Sequence, residues 1–384
     1  MVKAAQAAES GRDEDRGAAA ASPPRVQGTA REEVMQIEKH DFTDLVPTDR
    51  PRSQSLDGFD PEYTDIVDYI VRCTHRIWDE KNPGLIYSHY TDNAVVYGSL
   101  GISHTREEVV RATIQRIAEF PERRGMAQQV IWNGNDREGF YTSHLVTGVG
   151  RHIGPGPYGP PTGRSFAART IADCLVFRNR IYREWLVRDN AAMLKCLGVS
   201  IDEVATQMAA DQAAKGVTMH EVGEGDRLLG QYPVKTRADT GIAHSDEEAG
   251  FLQSLHEMWN MRMYGLVRDL YAPTVLAHWP SSRDTYGAQA LLTNVLNLAA
   301  LMPDATYTPH HIATIDSIEG GRKIAVRWSM DGHHMGWGLL GKPTQRRLFV
   351  QGMSHFHVRN GRIVEEWTLF DELALRVQLK LPVA

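Results

Sequence analysis

Cysteine is scarce. The 384 residues hold three, Cys73, Cys174 and Cys196, and no two are spaced as CxxC. A disulfide framework and a four-cysteine zinc site are excluded. Long apolar runs are missing as well; nothing approaches the ~20 residues a membrane-spanning helix needs. Basic excess is absent: 42 Lys and Arg face 48 Asp and Glu, for a net charge of −6. Phosphate binding needs a basic surface, so nucleic acid is not the expected partner. The opening MVKAAQAAES lacks the apolar core of a signal peptide, and Glu9, Asp13, Glu14 and Asp15 are foreign to a transit peptide. The expected location is cytoplasmic. Hydrophobic residues, at 42%, suffice for two domains with real cores.

Residues 1–58 are rich in Ala, Arg, Asp, Glu and Pro and poor in large apolar side chains. Such a segment buries too little surface to offset its ordering entropy, so a disordered tail is expected, with a short helix near 31–40. The rest of the chain repeats itself. At an offset of 181, His75, Trp78, Gly84, Leu85 and Tyr90 recur as His256, Trp259, Gly265, Leu266 and Tyr271. At an offset of 182, His152, Gly154, Gly156, Gly159, Pro161, Thr162 and Arg164 recur as His334, Gly336, Gly338, Gly341, Pro343, Thr344 and Arg346. Arg180, Ile181, Glu184, Trp185 and Asp189 follow as Arg362, Ile363, Glu366, Trp367 and Asp371. The chain reads as a duplication, with units at 59–200 and 245–384 and a linker at 201–244 that begins helically and ends polar and Gly-rich.

Each unit opens with an amphipathic helix. Asp60–Pro61 is a candidate start for the first, and Ser245 with Glu248 a capping box for the second. Thr105 and Glu108 box a second helix. Segments of strand character follow, among them GFYTSHLVTGVG, RSFAARTIADCLVF, RRLFVQGMSHFHV and RIVEEWTLF. Helices first and an antiparallel sheet after make an α+β class.

HIGPGPYGPPTGR (152–164) followed by RIYREWLVRDNAAMLKCLG (180–198) resembles the SnoaL-like polyketide cyclases, ester-cyclase members of the nuclear transport factor 2-like superfamily. HMGWGLLGKPTQR (334–346), GRIVEEWTLFD (361–371) and LYAPTVLAHWP (270–280) repeat the pattern. The resemblance implies two cone-like units, each with helices packed on a curved antiparallel sheet enclosing an apolar pocket. It implies a small hydrophobic substrate or ligand, no cofactor and no metal. Relatives often dimerise across their sheets. A tandem chain could form that dimer internally as a pseudo-symmetric pair, leaving open a further homodimer. Cyclases of this kind close a ring by intramolecular aldol chemistry, with an acidic residue and a histidine in the pocket.

A proton next to a carbonyl must be removed for such chemistry, and a carboxylate in an apolar pocket suits the task because desolvation raises its pKa. Asp371 and Asp189 each follow a strand and match the acid/base position; the alternative for each is a cap on the helix that follows. His357, fourteen residues before Asp371, matches the second catalytic position, where the first unit has Leu175. His355 shares its strand face, with Asp173 as counterpart. His334 and His152 stand on the His-x-Gly strand and join the catalytic candidates. His278 matches a pocket-mouth histidine whose counterpart is Tyr97, and Trp367 and Trp185 are candidate pocket walls. His75 and His256, three residues from a tryptophan, read as core packing. The second unit carries the fuller set and is the expected active site of a cofactor-independent cyclase, isomerase or hydrolase acting on a small hydrophobic carbonyl or ester compound.

Two other readings remain. The histidines invite a metal, but His355-x-His357 lacks the Glu three or four residues on, and the neighbours His333 and His334 face opposite ways on a strand. The protein could also bind a small ligand, or act as a scaffold, without turnover. Geometry discriminates: a catalytic His357 and Asp371 must meet at one cavity.

Overall fold

The computed structural model describes residues 34–39, 50–218 and 237–383. The first half runs α1 (Ile66–Trp78), α2 (Ile86–His89), β1 (Tyr90–Gly98), β2 (Gly101–Ser103), α3 (Arg106–Glu119), β3 (Arg124–Asn135), β4 (Gly139–Arg151), β5 (Ser165–Phe177) and β6 (Arg180–Arg188). Two helices follow, α4 (Asn190–Leu197) and α5 (Ile201–Ala213). The second half repeats the order as α6 (Asp246–Trp259), α7 (Val267–Leu270), β7 (Tyr271–His278), β8 (Thr285–Tyr286), α8 (Ala288–Leu301), β9 (Thr306–Asp316), β10 (Arg322–His333), β11 (Arg347–Arg359), β12 (Arg362–Phe370) and α9 (Glu372–Gln378). Both sheets have six strands, ordered β2-β1-β6-β5-β4-β3 and β8-β7-β12-β11-β10-β9. This is the expected α+β class, two curved sheets each covered by helices. The sheets are antiparallel except where β1 runs parallel to β6 and β7 to β12. No helix among the described residues is long and apolar enough to cross a membrane.

Local chemistry sets the helix starts. Thr105 caps α3 by accepting from the Glu108 N–H at 3.2 Å, and Ser245 caps α6 by accepting from the Glu248 N–H at 3.2 Å. The first helix starts later than Asp60–Pro61: Asp65 is its cap, accepting from the Asp68 N–H at 2.8 Å. The linker's opening is a docked helix. Val204, Ala205 and Ala209 of α5 share a core with Leu373, Val377 and Leu381 at the chain's end. Its Gly-rich stretch, 219–236, lies outside the described residues, as do 1–33 and 40–49 of the tail. Part of the remaining tail is packed: Met35, Ile37 and Leu56 are buried in the first half's core. Only a single turn, Ile37–Lys39, is helical near 31–40 among the described residues.

Strand side chains alternate between faces, so each sheet has one face for its own helices and one for the other sheet. In the second half, Trp328, Val350, Phe356 and Phe370 face the helices and form one core. The opposite face meets the first half. Trp185, Tyr141 and Val187 pack there with Met353, Trp367 and Leu369. The two halves thus meet sheet to sheet within one chain, the arrangement expected of an internal pseudo-dimer.

The repeated His-x-Gly has a packing explanation. A Cβ on Gly336 would land on the carbonyl oxygen of Ala300, and one on Gly154 on that of Ala118. Each glycine lets a loop close over the end of α8 or α3, where the Gly154 N–H donates to Glu119 O at 3.0 Å.

Candidate functional site

The residues singled out by resemblance lie mostly between the halves. His355 is buried, its Nε2 2.8 Å from Ser143 Oγ and its Nδ1 3.2 Å from Gln129 Oε1, both across the seam. Burial pushes its pKa down to about 3, so it is a neutral imidazole. Asp173, pushed up to about 6 by burial, faces Arg327 at 3.5 Å. Arg327 also stands 3.6 Å over the Trp185 ring, which stacks on Tyr97. Trp367 stacks on His278 at 5.3 Å. Trp185 and Trp367 are therefore walls of the seam, on the sheet face turned away from the cone interior. His278 stands between Asp284 at 3.2 Å and Glu365 at 3.3 Å, and the first half's Arg169 also binds Asp284.

Asp371 and Asp189 both cap helices. Asp371 accepts from the Leu373 N–H at 3.0 Å, and Asn190 Nδ2 donates to it across the seam at 2.6 Å. Asp189 accepts from the Ala192 N–H at 2.9 Å and, across the seam, from the Ser281 N–H. His152 and His334 are buried and pin their loops through Nδ1, at 3.3 Å from the Thr162 N–H and 3.1 Å from Thr344 Oγ1. His357 lies 2.8 Å from Gly320 O at the far end of β11. Its partner in the ladder is Glu365, six residues before Asp371. At about 3.3 Å per residue the two side chains start about 20 Å apart, so they cannot share a substrate atom. Among the described residues no three His, Cys, Asp or Glu side chains gather as a metal site.

The cavity is in the first half, where the fuller motif set is not. Val71, Thr74, His75 and Asp79, with Ile37, Gly125, Met126, Ala127, His144 and Val146, enclose about 190 Å³ between α1 and β3–β4. The equivalent interior of the second half holds about 10 Å³, room for one water. Side-chain size explains the contrast. At an offset of 182, Val146 and Gly125 become Trp328 and Tyr307, which pack against each other with ring centroids 5.4 Å apart. Trp328 lies where a Cβ on Gly352 would strike its ring. Along the same face, Ala168, Thr170, Ala172, Leu186 and Arg188 keep part of their surface, while Val350, Gly352, Ser354, Thr368 and Phe370 are buried.

The open cavity has polar groups in register. Asp79, at the end of α1, accepts from the Gly125 N–H at 2.7 Å, and its Oδ2 lies 3.3 Å from His75 Nδ1. Glu80 approaches the other ring nitrogen at 3.6 Å from the exposed side. His144, fully buried, is held neutral with its pKa pushed down to about 3 by desolvation, and its Nε2 has no hydrogen-bond partner. His75, expected in core packing, lines this cavity together with Asp79 and His144, neither of which belongs to the motifs. The signal was the repeat itself: Asp79 aligns with Asn260 and His144 with Val326.

A family model described as SnoaL-like polyketide cyclase matches residues 250–379. The second half is a SnoaL-like domain. The match covers that domain alone, and the first half repeats its element order strand for strand, so the chain is a tandem duplication of this fold. Solved structures similar to the SnoaL-like fold of this chain include IdmH from Streptomyces antibioticus, a candidate polyketide cyclase. It is 26% identical over 33% of this chain and 94% of its own, with a TM-score of 0.28. A candidate SnoaL-like polyketide cyclase from Jannaschia sp. CCS1 is 16% identical over 34% of this chain and 90% of its own, with a TM-score of 0.29. A protein of ketosteroid isomerase-like fold from Catenulispora acidiphila, solved with trimethylamine, is 12% identical over 34% and 93%, with a TM-score of 0.29. No curated protein matches the chain.

Proposed function

We propose that the first half's cavity is the working site, and that it binds a small, largely apolar carbonyl compound and moves a proton on it without a cofactor. The single observation behind this reading is the cavity of about 190 Å³ with the Asp79–His75 pair in its wall. An apolar cavity of about 150 Å³ holds benzene, so the occupant is the size of one ring. Asp79 is fixed by the Gly125 N–H and oriented against an imidazole, the arrangement a general base requires. His144, a neutral imidazole across the cavity, can polarise a carbonyl without bringing a charge. In this reading the second half is the packed partner that holds the sheet-to-sheet seam.

Acetophenone tests it, being one ring with an enolisable methyl ketone. The full chain should bind it and speed exchange of its methyl protons with deuterated water, read by NMR. Asp79→Asn should slow that exchange by about 10²–10⁴-fold with affinity little changed. Val146→Trp should abolish binding. Wild-type protein that does not bind acetophenone would sink the reading. Binding without exchange would favour the second one, a ligand-binding protein without turnover. That alternative draws support from the separation of His357 and Asp371, the pair the family resemblance puts in charge.

A further inference from the structure

We infer that the ligand of the first half's cavity carries a carboxylate and that Arg123 is its anchor; this rests on the cavity being the working site. The two halves differ most sharply here. At the offset of 182, Arg116, Arg123 and Arg188 align with Leu298, Ala305 and Phe370. Leu298 and Phe370 belong to the second half's hydrophobic core. Three guanidinium groups have therefore entered the corresponding region of one half of a protein whose net charge is −6.

The arginines are not equally engaged. Arg116 reaches Tyr158 Oη at 2.9 Å and Glu119 at 3.4 Å. Arg188 shares a strand face with Glu184 and points away from the seam, where Trp185 and Val187 lie. It has no ion pair among the described residues. Arg123 lies over the Trp78 ring at 5.1 Å, and its Nη1 is buried without a hydrogen-bond partner. Glycines make room for it. A Cβ on Gly148 would meet its Nε at 3.3 Å, and one on Gly125 would sit 3.7 Å from Nη1 and 3.4 Å from Asp79 Oδ2. Gly125 and Asp79 line the cavity and Arg123 does not, so the guanidinium edge stands just behind these two lining residues. Asp79, the nearby acid, is already held by the Gly125 N–H and His75. Desolvation lowers the pKa of Arg123 to about 10; Asp79 offsets part of this, and Arg188 and Arg116 add smaller pushes in the same direction as burial. A buried guanidinium N–H with no partner calls for an acceptor, and an anion serves it best. A planar carboxylate on a one-ring molecule satisfies the fork and fits the volume.

Benzoate and benzamide, alike in shape and different in charge, decide it by calorimetry on the full chain. Benzoate should bind at least about tenfold more tightly at low salt, with the ratio shrinking as salt rises. Arg123→Gln should bring the ratio to near one and leave benzamide affinity within a few-fold. Equal affinities in the wild type, or a ratio that survives Arg123→Gln, overturn the carboxylate while benzamide binding keeps the pocket. If neither compound binds, the pocket falls with it. The wild-type ratio and its salt dependence discriminate even if the variant fails to fold.

Discussion

The two halves share one topology and differ in what fills it. In the second, Trp328, Tyr307, Leu298 and Phe370 close the interior; in the first, Val146, Gly125, Arg116 and Arg188 stand at those positions and an interior cavity of about 190 Å³ remains. A SnoaL-like domain can thus keep its motif strand and lose its cavity. The motifs fix turns, caps and the seam, whereas the cavity depends on the sizes of side chains facing the helices. The most severe way to break the contrast is to open the closed half. Trp328→Val should cost about 2–4 kcal/mol in urea unfolding, from lost burial, a residual cavity and the lost 2.9 Å bond from its Nε1 to Ser354. If the protein keeps its stability, Trp328 is not what fills the cone.

Much of the fold was legible. The duplication, the helix caps at Thr105 and Ser245 and the succession of helices and then strands in each unit follow from repeats and period-two patterns. The parallel pairs β1–β6 and β7–β12 were not, because they join strands far apart in sequence. For the site, the alternation placed His355 and His357 on one face, but not which face met the helices. That depends on the other half: His355 finds its partners in Ser143 and Gln129, more than two hundred residues away. The useful signal lay where the repeats disagree in size and charge, at Val146 against Trp328 and Arg123 against Ala305.

The seam should report pH where the cavity reports ligand. Burial raises the Asp371 carboxyl to about 7. The folded state then holds a proton that the unfolded chain releases near pH 4, so stability falls as pH rises from about 4 to about 7 and levels off above. Asp371→Asn should remove this part of the slope, gaining on wild type by about 1–3 kcal/mol between pH 5 and pH 8. The wild-type comparison matters. Asp173, raised to about 6, carries the same sign, and His144 and His355, lowered to about 3, carry the opposite one. Exchange of acetophenone protons should be untouched by the variant. A large loss of exchange would return Asp371 to the chemistry and undo the division between an open working half and a closed one.

His278 offers the gentlest test of the same seam. Burial works against its charge, but Asp284 and Glu365 outweigh that and raise its pKa to about 9. Its contribution is present in full below the ordinary histidine value near 6.5 and fades as pH climbs through 9. Arg169 competes for Asp284 at 2.7 Å, and Asp284 is partly exposed, so solvent screens the group. His278→Gln should therefore cost no more than about 1 kcal/mol at pH 6 and nothing above pH 10, by urea unfolding at the two values. A cost that persists at pH 10 would mean that His278 holds the halves together by stacking on Trp367 rather than by charge. The seam would then be an apolar joint like the closed interior beside it.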